Sequence, residues 1–188
     1  MKKILHDALV LMAFSLVLGF VLGGVYKITE PIIAEATLRK EMEAYKVVFE
    51  NADTFNPMEV DASKAEAVAA TYPDVVDKVF EAVDTNGTCI GYVVQLTTKD
   101  GYAGGIVMVV GVQLDGTVNG FSVTAHSETS GLGTKAFEPA YADQFKGVAG
   151  ADVNGIATLS GATMTSTAVK NAVNAAVAYA SSLAGGAQ

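Results

Sequence analysis

Hydrophobic and polar positions divide the chain into three regimes. The run from Ala8 to Val25 carries no charge, and its length suits a helix crossing the hydrocarbon core of a membrane. From Glu30 to Glu50 the chain is charged and alanine-rich. Leu38, Met42, Tyr45 and Val48 or Phe49 recur there at helical spacing, which predicts an amphipathic stalk with Pro31 in its first turn. Asn51 to Pro73 is polar, and a short helix is expected over Ser63 to Ala70, with Ser63 as cap and Glu66 as its capping-box partner.

Beyond Pro73 the period changes to two. Strands are expected at Val79 to Val83 and at Thr88 to Thr98, the latter with Ile90, Tyr92, Val94 and Leu96 on one face. Lys99-Asp100-Gly101 reads as a hairpin turn. Ile106 to Leu114 is nearly all apolar and should be buried on both faces, and Asp115-Gly116 turns the chain into a strand at Val118 to Ala125. An irregular stretch, His126 to Gly133, separates this meander from a short amphipathic helix at Phe137 to Phe145. A final helix, Thr167 to Leu183, carries a stripe of Ala168, Val169, Ala172, Val173, Ala176, Val177 and Ala180. The fold class is therefore α+β: a single N-terminal transmembrane helix, then an antiparallel sheet with flanking helices. The expected organisation is an anchor at 1–27, a helical stalk or linker at 28–75 and a folded domain at 76–188.

Lys2 and Lys3 before the apolar run, with Lys27 after it, favour an N-terminus on the cytoplasmic side and the remainder outside. A cleaved signal peptide is the competing reading. Ala34-Glu35-Ala36 fits a cleavage site in letters but lies past Lys27, Glu30 and Pro31, so a retained single-pass anchor in the cell membrane is expected.

Composition removes several chemistries. The formal net charge of −8 argues against nucleic acid as a partner. Cys89 is the single cysteine, so the chain alone makes neither a disulfide nor a cysteine-ligated iron–sulfur cluster. With only His6 and His126, a histidine-based metal site is not expected. Cys89 reads as a core residue in mid-strand, and no catalytic acid or base stands out.

Two segments carry candidate chemistry. Ser160-Gly161-Ala162-Thr163-Met164-Thr165-Ser166-Thr167 opens the last helix. Its backbone amides and the positive end of the helix dipole can hold an anion such as a cofactor phosphate. On local physics alone, helix capping by these hydroxyls is the stronger reading, since Ser and Thr are favoured caps. In His126-Ser127-Glu128-Thr129-Ser130-Gly131-Leu132-Gly133, the glycines flanking Leu132 allow close backbone approach to a flat ligand, or simply a tight turn.

These two segments together resemble the signatures of the FMN-binding domain family. Ser160-Gly161-Ala162-Thr163 is similar to its flavinylation motif, and the stretch from His126 is similar to a signature usually written Glu-Thr-Pro-Gly-Leu-Gly. The resemblance runs from about Val79 to Leu183. The family includes the G subunit of the Rnf complex, whose length and N-terminal anchor this chain shares, and the C subunit of the sodium-translocating NADH:quinone oxidoreductase, which usually has a longer region after its anchor. The resemblance implies FMN joined to Thr163 through a phosphoester and installed by a flavin transferase. It implies that Ser160, Gly161 and Ala162 form the phosphate-side loop, and that Glu128, Thr129, Gly131, Leu132 and Gly133 lie along the flavin ring. It also implies an electron-carrier role beside other membrane subunits of an ion-translocating ferredoxin:NAD oxidoreductase. A non-redox binding module is the alternative of a different class. The sequence departs from the family pattern at Ser130, where proline is usual, and at Ala157, where Asp is usual. Asn154 is the candidate for a displaced substitute.

Overall fold

The computed structural model describes residues 2–185. It contains two compact units, one ending at Glu41 and one beginning at Met42. Helix α1, Lys2–Val48, is continuous and holds Pro31 in its interior. The separate anchor and stalk expected from sequence are one helix. Proline removes a single backbone hydrogen bond, and the helix-forming residues on either side carry the helix through it. In the first unit the apolar side chains face outward, Phe20 being 87% exposed. Within His6–Val48 lies a helix long and apolar enough to cross a membrane.

The second unit is built on one antiparallel meander, ordered β1-β2-β3-β4-β5-β6. Its strands are β1 Thr54–Met58, β2 Asp74–Val83, β3 Cys89–Gly101, β4 Gly104–Gln113, β5 Thr117–Ala125 and β6 Val148–Ala149. The strands after Pro73 appear in the expected order. β4 is buried on both faces, with Ile106, Met108, Val109 and Val110 all at 0% exposure. The turn at Asp115-Gly116 also forms, with Gly116 at φ +82°.

Four expectations fail here, each for a local reason. β1 lies in the polar stretch Asn51 to Pro73, where a short helix but no strand is expected. It is an edge strand, the position where Pro57 is tolerated. The β3–β4 turn lies at Tyr102-Ala103 rather than Lys99-Asp100-Gly101, because the ladder continues to the Gly101↔Gly104 pair. Ile90 does not share a face with Tyr92, Val94 and Leu96. The register steps from Ala82↔Gly91 to Val83↔Cys89, so Ile90 is the extra residue of a bulge and turns to the other face. Cys89 itself opens β3 and is only partly buried.

Helix α2, Ala62–Ala69, is capped by Asp61, whose Oδ1 accepts from the amides of Ser63 and Lys64; Ser63 is not the cap. The segment read as one helix from Phe137 to Phe145 breaks into 3-10 turns around a four-residue helix, α3 Pro139–Ala142. Pro139 cannot continue a preceding helix but can start a new one. Tyr141 and Phe145 still pack together, ring centres 5.3 Å apart.

Both sheet faces are covered within this unit. On one, helix α4, Thr163–Ala184, lays Val169, Ala172, Val173 and Ala176 on Val94, Leu96, Met108 and Val110. Its alanines let the helix approach closely. On the other, Ala44, Tyr45, Val48 and Phe49 cover Ala82, Val93 and Val109, and Tyr45 donates a buried hydrogen bond to Gln95 Oε1 at 3.0 Å.

Candidate functional site

Helix α4 starts at Thr163, four residues earlier than the apolar stripe suggests. Thr165 and Ser166 continue that stripe with small inward-facing hydroxyl residues, exposed by 1% and 0%. Ser166 Oγ accepts from the Leu159 amide at 3.1 Å and donates to the Ala162 carbonyl at 2.9 Å. Thr165 Oγ1 donates to Glu128 Oε2 at 2.8 Å. The residue preceding the helix is Ala162, and no side chain caps the terminus. The first-turn amides therefore keep their capacity to bind an anion. Gly161 makes the entry turn with φ +81°, a conformation that disfavours any residue with a Cβ.

A cavity of about 490 Å³ opens beside this terminus, within the size range of sites for organic cofactors. Gly161, Ala162 and Thr163 line it from the helix side, and Glu128, Thr129, Leu132 and Gly133 from the loop after β5. Ser160 and Gly131, also singled out from sequence, do not line it. Gly131 instead makes the turn, at φ +75°, and its amide donates to Thr134 Oγ1 at 2.9 Å. This contact orders the loop although Ser130 stands where the family signature has proline.

Of the other lining residues, Tyr102 lies outside both candidate segments, and Met164 and Thr165 lie within the 160–167 segment without an individual role expected for them. Tyr102 comes from the misplaced β3–β4 turn. The other two lie in the first turn of a helix expected to start later. Tyr102, Leu132 and Met164 are apolar yet 71%, 53% and 58% exposed, forming an apolar rim suited to a planar ring. None of the lining residues is Lys, Arg or His.

Glu128 is 7% exposed, and both of its oxygens accept hydrogen bonds, Oε1 from the Ala103 amide at 3.2 Å and Oε2 from Thr165. Asn154, the candidate substitute for the acid usual at Ala157, is held against α4. Its Oδ1 accepts from Asn174 Nδ2 at 2.9 Å, well inside α4, and its carbonyl accepts from Lys170 Nζ at 3.0 Å. Thr163 is exposed, and its hydroxyl makes only a long contact, 3.4 Å, to the Leu159 carbonyl.

A family model described as the FMN-binding domain matches residues 101–178, which takes in the cavity loop and most of α4. Among curated proteins, the chain is 30% identical to the G subunit of the proton-translocating ferredoxin:NAD(+) oxidoreductase complex of Clostridium ljungdahlii, over 89% of this chain and 86% of that one. It is 31% identical to the G subunit of the ion-translocating oxidoreductase complex of Methanosarcina acetivorans, over 98% of both. Among solved structures, NqrC of Shewanella oneidensis superimposes with a TM-score of 0.45 at 23% identity, covering 67% of this chain and 65% of that one. At this identity and coverage to the two G subunits, the chain belongs to the FMN-binding-domain family of G subunits from ion-translocating oxidoreductase complexes.

Proposed function

We propose that the protein is the electron-carrying G subunit of an ion-translocating ferredoxin:NAD+ oxidoreductase complex of the Rnf type, with FMN joined to Thr163 through a phosphoester. The whole-length likeness to two G subunits supports the assignment to the complex. One observation carries the linkage. Of the α4 hydroxyls that line the cavity, Thr165 is engaged by Glu128, whereas Thr163 is exposed at an uncapped helix start.

The residues present fit the group. The amides at the start of α4 and the turn through Ser160, Gly161 and Ala162 would hold the phosphate. Thr129, Leu132 and Gly133, with Tyr102 and Met164, would flank the ring, and Gly131 would shape their loop. Bound flavin supplies the electron-transfer chemistry, and the protein sets its orientation and potential. The chain performs no acid–base step of its own in this reading; it is one subunit of the translocating enzyme. Other membrane subunits of the complex are its partners, a flavin transferase matures it, and membrane lipid surrounds the apolar part of α1. The N-terminus is cytoplasmic and the FMN-bearing unit extracytoplasmic.

The test is expression of the full chain with a flavin transferase, followed by denaturing electrophoresis. The expected result is a fluorescent band for the wild type and none for Thr163→Ala, with the mass of FMN on the peptide spanning Ser160 to Lys170. A band that survives Thr163→Ala, or a wild type without one, overturns the linkage.

A further inference from the structure

We propose that Glu128 is a positioning residue whose carboxylate pins three walls of the cavity together and lowers the potential at which the flavin held there is reduced. This rests on the FMN reading above.

Glu128 stands where three segments meet. Oε1 accepts from the Ala103 amide, in the turn between β3 and β4, and Oε2 accepts from Thr165 in the first turn of α4. The residue itself belongs to the loop after β5. Two glycines make room for it. A Cβ on Gly133 would collide with Oε2; one on Gly101 would collide first with the Gly104 carbonyl of its own hairpin and would lie 2.8 Å from Oε1. Two backbone positions on separate segments thus lack side chains at the point where this carboxylate sits.

The electrostatics follow from the donors. Both oxygens act as acceptors, and both donors are neutral, an amide and a hydroxyl. No residue lining the cavity is cationic; Lys99 lines the adjoining depression, which shares Thr163 and Met164 with the cavity and also holds Asp100. Within the cavity lining, the partial positive charge at the α4 terminus is the compensation, and it is smaller than a full charge. Two-electron reduction of a flavin with uptake of one proton leaves one additional negative charge on the ring. A buried carboxylate on the same cavity wall opposes that charge, because like charges repel strongly where water is excluded. With its oxygens already used by Ala103 and Thr165, Glu128 acts on the ring through position and charge.

The test compares holoprotein of the full chain, wild type and Glu128→Gln, in detergent. Flavin loading is read by in-gel fluorescence, and the midpoint potential by spectroelectrochemistry with soluble mediators. The amide keeps the shape and loses the charge, so the flavin should remain and its potential should shift upward. A loaded Glu128→Gln protein with an unchanged or lower potential overturns the proposal. If Glu128→Gln fails to load, Thr165→Val takes its place. It keeps the carboxylate and deletes one donor, so the potential should fall, and an unchanged value overturns the proposal. Wild-type protein that carries no flavin fails the FMN reading instead. Hydrogen exchange at the Ala103 amide then still decides the pinning: slow exchange at this turn supports it, and fast exchange overturns it.

Discussion

Asp74 opens β2 opposite Thr98 and is 1% exposed; its carboxylate makes no hydrogen bond of ordinary geometry, and the facing Thr98 hydroxyl is its one weak polar contact. Burial holds its pKa above the ordinary carboxylate value; the facing Thr98 hydroxyl offsets this in part and the Asp100 charge adds to it. The consequence for stability is opposite to that of a typical aspartate. In the unfolded chain Asp74 ionises near pH 3.9. In the folded chain it holds its proton to higher pH. Its contribution to stability is therefore fully present below the unfolded pKa and is lost as pH rises through the folded value. Each unit between the two values removes about 1.4 kcal/mol. A buried polar group without a partner costs about 1–3 kcal/mol, and an ionised one more.

Asp74→Asn keeps the shape and removes the titration. We expect the variant to match the wild type near pH 4 and to exceed it by about 1 kcal/mol or more at pH 8, a rise of about 2–4 °C in Tm for each kcal/mol in a domain of this size. The assay is thermal denaturation of the full chain in detergent across pH 4 to 8. The comparison is made as a difference because Asp84 and Asp115 run the other way. Turn hydrogen bonds, from the Thr88 and Thr117 amides first, lower their pKa values, so their contributions are lost as pH falls. Both variants share those groups, and the difference isolates Asp74. A gap that is constant with pH, or that closes as pH rises, refutes the assignment.

Two further outcomes are expected. Gly133→Ala should destabilise the protein by about 1–3 kcal/mol, since the new Cβ must displace Glu128 and Thr165; a denaturation midpoint equal to wild type would show that the loop gives way freely. Protease added to spheroplasts should cut the chain after Lys27, whereas complete protection would reverse the proposed orientation.

Much of the sheet was legible because its signals are local. The alternation in β3 and β5, the apolar run of β4 and the Asp115-Gly116 turn each rest on adjacent residues. What stayed hidden depends on partners distant in sequence. Only the pairing with β2 shows that Ile90 is a bulge residue, and only an edge position makes Thr54–Met58 a strand despite Pro57. Asp74 looks like an ordinary surface acid until the sheet buries it. In the site, the cavity loop and Thr163 were visible as motifs. Thr165 was not assigned, because its hydroxyl faces inward and its partner Glu128 lies 37 residues away. The periodicity did hold a signal: Thr165, Ser166, Ala168 and Val169 continue one helix face, which moves the start of α4 forward.

The same eight residues from Ser160 support either a capped helix or an anion site when read as letters. The hydroxyls decide between these by where they point. Ser166 turns back to Leu159 and Ala162, Thr165 turns to Glu128, and no side chain caps the helix. Charge then bears on how an FMN phosphate could be held there. A free phosphate monoester carries about −1.5 to −2 charges at neutral pH, a diester carries one, and the helix terminus offers about half a positive charge. With no cationic side chain lining the cavity and a carboxylate on its wall, the diester is the form this terminus compensates better. The proposed bond to Thr163 would thus do two things: it would retain the cofactor, and it would remove charge that the cavity's own lining does not balance, Lys99 standing only in the adjoining depression.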